Sequence, residues 1–317
     1  MSSRPRIVFL GNHTVGVRAL RVLQRDADLV GVVAHPDDPE DGVRYESVYD
    51  EAVRRGLPVL RGTGRSAVVM EFVRKCAPDL LWVTDYRYLL PSLLVNLARL
   101  GAVNLHPSLL PRYRGRASIN WAILRGETEL GLSAHLIDDG MDTGDIMAQR
   151  RYTLAQHEDV GDALEKLYPL YEAITAEVVA AFLSGSLPRR AQEVAHASVF
   201  PRRTPEDGLI DWTAPSRDVW NLIRAVAAPY PGAFSSAGST RLTIWRAAAV
   251  ESFARDTSPE AGEILDVSPD RKSLTVACGD AALVVTRYSL AAQTGDTAIH
   301  PGDVLGDTRA CVAHVTL

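Results

Sequence analysis

Arg6-Ile7-Val8-Phe9-Leu10-Gly11 is an unbroken apolar run closed by glycine, and the stretch from Val15 to Asp26 follows it at helical spacing. Val17, Leu20 and Leu23 fall on one side of that helix, with Arg18, Arg21 and Arg25 charged between them. A continuous run suits a strand buried on both faces, because a strand wetted on one face alternates apolar with polar. Leu29–Ala34 reads as a second strand. Tyr45 to Gly56 reads as a helix with Gly56 as its C-cap and Pro58 beyond, Ser66 to Ala77 as another helix, and Asp79–Thr84 as the strand after it. Strands alternating with helices at this spacing predict an α/β fold: a doubly wound, mostly parallel, Rossmann-like sheet with right-handed crossovers.

Leu100-Gly-Ala-Val-Asn-Leu105 continues the series, and Pro107 directly after His106 stops the strand there. Asn104 and His106, two residues apart, share a face where the strand opens into a loop, and the carboxyl ends of strands are where such sheets bind ligands. Ser118 to Arg125 reads as a helix turned back into the sheet. Leu132–Ile137 is a further strand, followed by the acidic turn Asp138-Asp139-Gly140-Met141-Asp142-Thr143-Gly144-Asp145. Asx capping accounts for acids in such turns. A carboxylate facing His106 would in addition fix the imidazole tautomer and raise its pKa toward neutrality.

With the stretch Asn104-Leu105-His106-Pro107-Ser108-Leu109-Leu110-Pro111 and Asp142 in hand, the chain resembles the 10-formyltetrahydrofolate-dependent formyltransferases, whose signature is Asn-x-His-x-Ser-x-Leu-Pro followed by a strand and an Asp-bearing loop. The resemblance places Asn104, His106 and Asp142 on the catalytic triad, and Ser108, Leu110, Pro111 and Gly115 on the loop consensus. It implies 10-formyltetrahydrofolate as cosubstrate and no metal, with an acceptor amine attacking the formyl carbon. Asn104 and His106 would stabilise the oxyanion, Asp142 would hold His106 protonated, and His106 or a water would carry the proton to the departing folate nitrogen. The same resemblance assigns the pterin pocket to Tyr88, Leu89 and Leu90, to Arg116 and to Asp138, Asp139, Gly140 and Met141.

The second part of the chain changes character. Glu158 to Leu183 reads as a long core helix with Ala163, Leu167, Leu170, Ile174, Val178 and Ala181 at helical spacing. Residues 1–187 are expected to form the catalytic domain, 188–205 a linker, and 206–317 a C-terminal domain. In the latter, Asp218 to Ala227 is helical. Arg241–Trp245, Gly262–Val267, Leu274–Ala277 and Ala282–Thr286 are short strands parted by Gly and Asp turns, which suggests a small β-barrel of the oligonucleotide/oligosaccharide-binding (OB) type. Resemblance extends to this barrel, which the family carries in members acting on methionyl-tRNA and on amino sugars.

Composition narrows the function classes. A net charge of −5 gives no general field for nucleic acid. Cys76, Cys278 and Cys311 are scattered, without CxxC or Cys/His ligand spacing, so neither a disulfide framework nor a zinc site is expected and a reducing cytoplasm is. No uninterrupted apolar run reaches the ~18 residues of a membrane span, and Met1-Ser-Ser-Arg-Pro-Arg6 does not read as a signal peptide. Gly11-Asn-His-Thr-Val-Gly16 lacks the G-x-G-x-x-G register, which disfavours a nicotinamide cofactor.

The acceptor is the open point. Initiator-tRNA formyltransferases carry a basic insertion after the second strand, whereas here His35-Pro-Asp-Asp-Pro-Glu-Asp-Gly42 is acidic and would repel phosphates. Tyr113–Ala117, Arg202–Asp207 and Arg224–Phe234 resemble the formyltransferase half of the enzyme acting on UDP-4-amino-4-deoxyarabinose. Pro107 departs from that enzyme's glycine, and its partner epimerase/decarboxylase domain is not expected, the chain ending at Leu317. The expectation is a small-molecule amine: a nucleotide-linked amino sugar, with Arg202 and Arg203 as pyrophosphate candidates, or N-hydroxyornithine in siderophore biosynthesis. Methionyl-tRNA is the alternative acceptor. A formyltetrahydrofolate-hydrolysing or folate-binding relative is the alternative of a different class, the hydrolase disfavoured by a chain that starts directly at the sheet.

Overall fold

The computed structural model describes residues 4–36, 45–250, 259–291 and 299–306; the acids Asp37 to Asp41 and Cys311 lie outside them. The chain divides into two compact units, one of Met1–Ser118, Glu129–Thr153 and Leu164–Pro201, the other of Ile119–Thr128, Leu154–Ala163 and Arg202–Leu317.

In chain order the elements up to residue 200 are β1 (Arg6–Gly11), α1 (His13–Asp26), β2 (Asp28–Ala34), α2 (Val48–Arg54), β3 (Val59–Arg61), α3 (Ala67–Cys76), β4 (Leu80–Thr84), α4 (Ser92–Val95), β5 (Ala102–His106), β6 (Arg114–Gly115), α5 (Ser118–Leu124), β7 (Glu129–Leu136), β8 (Ile146–Thr153), α6 (Val160–Ser184) and β9 (Val199–Phe200). The main sheet runs β3-β2-β1-β4-β5-β7-β8. Its first five strands are parallel; β7 is antiparallel to both β5 and β8. Ile7, Val8, Phe9 and Leu10 of β1 are all fully buried, as its continuous apolar run requires. Each such side chain contributes about 1.5–3 kcal/mol by leaving water. Strand order reverses between β1 and β4, which places the ligand-binding crevice of a doubly wound sheet outside the carboxyl ends of those two strands, with β5 next in the sheet.

Helix α6 is long and apolar enough to cross a membrane by length and composition alone. Its buried residues Val160, Ala163, Leu167, Tyr171, Ile174 and Val178 recur at helical spacing, while Glu172 pairs with Arg18 at 2.8 Å and Glu177 with Arg150 of β8 at 2.6 Å. One apolar stripe and ion pairs beside it are the signature of a helix laid on a sheet.

The other unit holds α7 (Ser216–Ala225), β10 (Ala233–Ala237), β11 (Thr240–Val250), β12 (Ile264–Val267), β13 (Leu274–Ala277), β14 (Ala282–Leu290) and β15 (Leu305–Gly306). The sheet order is β12-β13-β14-β11-β10-β15, antiparallel throughout. Its two end strands meet: Glu263 bridges Val304, the Ile264 N–H donates to the Asp303 carbonyl at 2.8 Å, and the Leu305 N–H donates to Gly262 at 2.9 Å. Among the described residues the sheet thus curls until its ends touch, the partly closed small barrel expected from the sequence.

Candidate active site

Strand β5 delivers Asn104 and His106, and the loop between β7 and β8 delivers Asp142. The three converge. His106 Nδ1 stands 3.6 Å from Asp142 Oδ2, and Asn104 Nδ2 stands 3.5 Å from Asp142 Oδ1. The Gly115 N–H donates to Asp142 Oδ2 at 2.8 Å, and the other ring nitrogen of His106, Nε2, lies 2.8 Å from the Tyr113 carbonyl. Since a carbonyl only accepts, that contact fixes a proton on Nε2.

Loop geometry explains the rigidity of this arrangement. The Ser108 hydroxyl donates to the Arg112 carbonyl at 2.8 Å and the Ser118 hydroxyl to the Pro107 carbonyl at 3.0 Å. From beneath, the fully buried Ser133 of β7 donates to the Ser108 carbonyl at 2.6 Å, accepts from the Leu110 N–H at 3.2 Å, and accepts from Gln149 of β8 at 2.9 Å. Antiparallel pairing of β5 with β7 sets Ser133 opposite His106 and His135 opposite Asn104.

His135 is a neighbour of these three residues that sequence reading missed, its Nε2 standing 3.5 Å from Asp142 Oδ1. Its Nδ1 lies 2.7 Å from the Leu136 carbonyl and therefore carries the proton, which leaves Nε2 to accept from Asn104 Nδ2 at 3.1 Å. Asn104 thus spends one N–H on His135 and points the other at Asp142. The signal was present in the sequence as a histidine inside the apolar run Leu132–Ile137. Antiparallel pairing, which brings it to Asn104, was not.

Electrostatics correct one expectation. His106 is almost wholly buried, and burial pushes its pKa below the ordinary imidazole value, outweighing Asp142 and the Tyr113 carbonyl, which act upward; His135 adds to the lowering. The expected upward shift therefore does not occur, because desolvation penalises the imidazolium more than one carboxylate at 3.6 Å favours it. Burial, the largest influence on Asp142, acts to raise its pKa, but His135 and His106, whose protonated forms an ionised Asp142 favours, and the Gly115 N–H hold it well below the usual carboxylate range. Both directions favour a neutral imidazole beside an ionised carboxylate.

The other expected site residues lie on the segments after β4, β6 and β7. Arg116 Nη2 donates to the Arg87 carbonyl at 2.5 Å, and the Ser92 hydroxyl donates to Asp139 at 2.9 Å. These bonds tie the segment after β4, the segment after β6 and the segment after β7 to one another. Asp138 caps its own turn by accepting from the Gly140 N–H and the Thr143 hydroxyl. Tyr88, Leu89 at 63% exposure and Met141 at 43% hold apolar surface out to solvent, whereas Leu90 packs against the core under α3 and α4. Arg203, in the other unit, lies over the Trp121 ring at 4.9 Å and donates to the Asp207 carbonyl, and Arg202 is exposed. Among the described residues no group of three or more His, Cys, Asp or Glu side chains is placed to hold a metal.

Comparison with known families completes the picture. Residues 6–179 match the formyl transferase model and residues 202–297 match that of the formyl transferase C-terminal domain. The chain belongs to the formyl transferase family. Among solved structures it is similar to WlaRD, a sugar 3N-formyltransferase crystallised with dTDP and 5-N-formyl-THF, at 16% identity and TM-score 0.67, covering 90% of this chain and 98% of that one. It is similar to the Helicobacter canadensis N-formyltransferase in complex with folinic acid and dTDP-3-aminofucose, at 17% identity and TM-score 0.66, covering 89% and 99%. Methionyl-tRNA formyltransferase from Clostridium thermocellum matches at 20% identity and TM-score 0.55, covering 78% and 94%. The fold is shared across all three, and this formyltransferase places its Asn104, His106 and Asp142 at the carboxyl end of the sheet.

Proposed function

We propose that the chain transfers the formyl group of 10-formyltetrahydrofolate to the amine of a nucleotide-linked amino sugar. The observation that carries the reading is the convergence of Asn104, His106 and Asp142 at the end of β5 in a chain of this family. The reading assigns the folate to the segments after β4, β6 and β7: exposed Tyr88, Leu89 and Met141 would offer apolar surface to a flat ring, Leu90 would serve through its backbone, Arg116 would present a planar donor fork to carbonyl or carboxylate oxygens, and Asp138, Asp139 and Gly140 would complete the pocket. Bound there, 10-formyltetrahydrofolate supplies an activated formyl carbon.

Asn104 holds the developing oxyanion. Its N–H toward Asp142 spans 3.5 Å, the outer limit of a hydrogen bond, and is the one it gives up to a stronger acceptor. His106 serves as the proton relay from a neutral start. It takes the amine's proton at Nδ1, becoming an imidazolium for which Asp142 Oδ2 and the Tyr113 carbonyl already stand in place, and returns that proton to the nitrogen that leaves. Asp142 stays ionised throughout and stabilises the charged ring. This replaces a His106 held protonated at rest.

The amino-sugar acceptor is supported by the near-complete mutual coverage with WlaRD and the Helicobacter canadensis enzyme, and by the low net charge-field for nucleic acid. The test is incubation with 10-formyltetrahydrofolate and a panel of UDP- and dTDP-linked amino sugars, N-hydroxyornithine and methionyl-tRNA, reading tetrahydrofolate release and formylated product by mass spectrometry. Formylation of a sugar nucleotide is the expected result. Preferred formylation of either other acceptor overturns the acceptor, and formate released without any amine overturns transfer in favour of hydrolysis.

A further inference from the structure

The carboxylate of Asp142 sits on a backbone that does not favour its own shape. Asp142 has φ +53°, the left-handed region that a residue with a Cβ enters at a cost, and Gly144 two positions on lies so close to the Leu136 carbonyl that no side chain fits. Something must hold this turn. The Gln192 side chain reaches it from the stretch after α6: its Nε2 donates to the Asp142 carbonyl at 2.8 Å and to the Gly144 carbonyl at 2.7 Å. Its Oε1 accepts from Arg114 Nε at 3.1 Å and Nη2 at 2.7 Å. The arginine fork settles which way the amide faces, because a guanidinium has no acceptor and the two carbonyls have no donor. All four hydrogen-bonding positions of the Gln192 amide are filled, and Arg114 is itself buried.

The same stretch braces the other side of the triad. The Arg114 N–H donates to the Ser198 carbonyl at 2.9 Å, the Tyr113 N–H to the Ser198 hydroxyl at 2.9 Å, and the Arg116 N–H to the Phe200 carbonyl at 3.0 Å. The Tyr113 and Phe200 rings stack at 5.1 Å. Tyr113 supplies the carbonyl that fixes His106 and Gly115 the N–H that holds Asp142, so both of these backbone groups are positioned by residues 198–200.

We infer that Gln192, oriented by Arg114, is a positioning residue of the formyl-transfer site, holding the Asp142 turn in the left-handed shape that aims its carboxylate at His106. The inference rests on the proposed roles of Asn104, His106 and Asp142. It makes residues 190–200 part of the catalytic apparatus. Gln192→Glu separates position from packing: it keeps the acceptor for Arg114 and nearly the same volume, yet sets carboxylate oxygens against two carbonyls.

The experiment compares Gln192→Ala, Gln192→Glu, Arg114→Ala and the Arg114→Ala/Gln192→Ala double variant with the parent in the full chain, measuring kcat, KM for the formyl donor, the melting curve, and the 15N titration of the His106 imidazole in the ligand-free protein. Both Gln192 substitutions are expected to lower kcat about 10- to 100-fold with KM changed less than about threefold, as loss of positioning does. The double variant is expected to be no worse than the poorer single one, because the two residues act as one unit. The His106 titration is expected to move to lower pH, since Asp142 is the carboxylate facing that ring, Tyr113 contributes only a carbonyl, and His135 opposes protonation. Multiplying losses in the double variant, an unmoved His106 titration, or a kcat loss matched by unfolding at the assay temperature would each overturn the inference. A parent without transferase activity would instead refute the proposed function, while the titration would still report on the clamp.

Discussion

His106 carries the sharpest consequence of burial. Its folded pKa lies below the ordinary imidazole value of about 6.5, so the folded state resists a proton that the unfolded chain accepts. Two results follow with the same sign. Stability contributed by the neutral ring is present above the unfolded pKa and is lost as pH falls below it, and the relay, which starts from the neutral ring, keeps working down to a pH below 6.5. The acid limb of kcat/KM against pH is expected under that value in the parent protein; a limb centred above pH 7 would mean that Asp142 wins over desolvation and that the ring rests protonated. Asn104→Ala is expected to lower kcat by about 100-fold, the usual cost of one oxyanion donor, with the melting curve little changed; retained turnover would remove Asn104 from that role. The trio Asn104, His106 and Asp142 is legible through the family resemblance carried by Asn-x-His-x-Ser-x-Leu-Pro, since pattern alone shows only an Asn-x-His ending a strand at a proline and a turn crowded with four aspartates. Gln192 is not legible, since a lone amide in a Pro/Arg/Ala stretch carries no local sign of two carbonyls waiting for it.

Periodicity found most of the strands and helices, and failed where an element owes its form to its neighbours. β1, β4 and β13 follow from apolar runs, and Gly56 with φ +66° closes the α2 turn as its position before Pro58 predicts. β8 escaped because Gln149-Arg150-Arg151 breaks the apolar pattern, as an edge strand does on its open side. Helix α2 begins at Val48 rather than Tyr45, with the Ser47 hydroxyl accepting from the Asp50 N–H at 3.2 Å as its cap. Beside this cap stands an ion cluster that periodicity cannot see. Glu51, almost fully buried, accepts from Arg21 at 2.8 Å, Arg55 at 2.7 Å and Arg54. Burial pushes its carboxyl up, the three arginines outweigh burial, and the result is a pKa of about 2. The arginines are 29% to 63% exposed, so solvent screening reduces what the cluster contributes. Glu51→Gln is expected to cost about 1–3 kcal/mol at pH 7. A depressed carboxylate stabilises above its unfolded pKa and ceases to do so as pH falls through its folded one, so the difference between parent and variant in urea midpoint should shrink steadily from about pH 4.5 toward 2. A difference independent of pH would assign the loss to packing instead of charge.

How the chain is apportioned between its two units sets a limit on dividing it. The composition shift near Ser184 to Pro205 marks where the chain changes character, but it does not reveal that Ile119–Thr128 and Leu154–Ala163 belong with the later residues. The bonds inside that unit explain the membership. Buried Asn120 donates to the Ala225 carbonyl at 2.7 Å, Trp121 lies beneath Arg203, and Arg224 donates to the Glu158 carbonyl at 2.8 Å while stacking on Trp220 at 4.6 Å. A chain cut after Pro201 keeps Asn120, Ile123 and Val160 and loses what surrounds them. An orphaned buried amide costs about 1–3 kcal/mol, and each exposed aliphatic side chain a comparable amount, which together rival the whole stability of an ordinary domain. Residues 1–201 expressed alone are therefore expected to melt well below the full chain, over a broader range, and to bind a hydrophobic dye. A sharp transition of residues 1–201 at the temperature of the full chain would show that the two segments contribute no stability where they lie, and that the sheet bearing Asn104, His106 and Asp142 stands without the barrel.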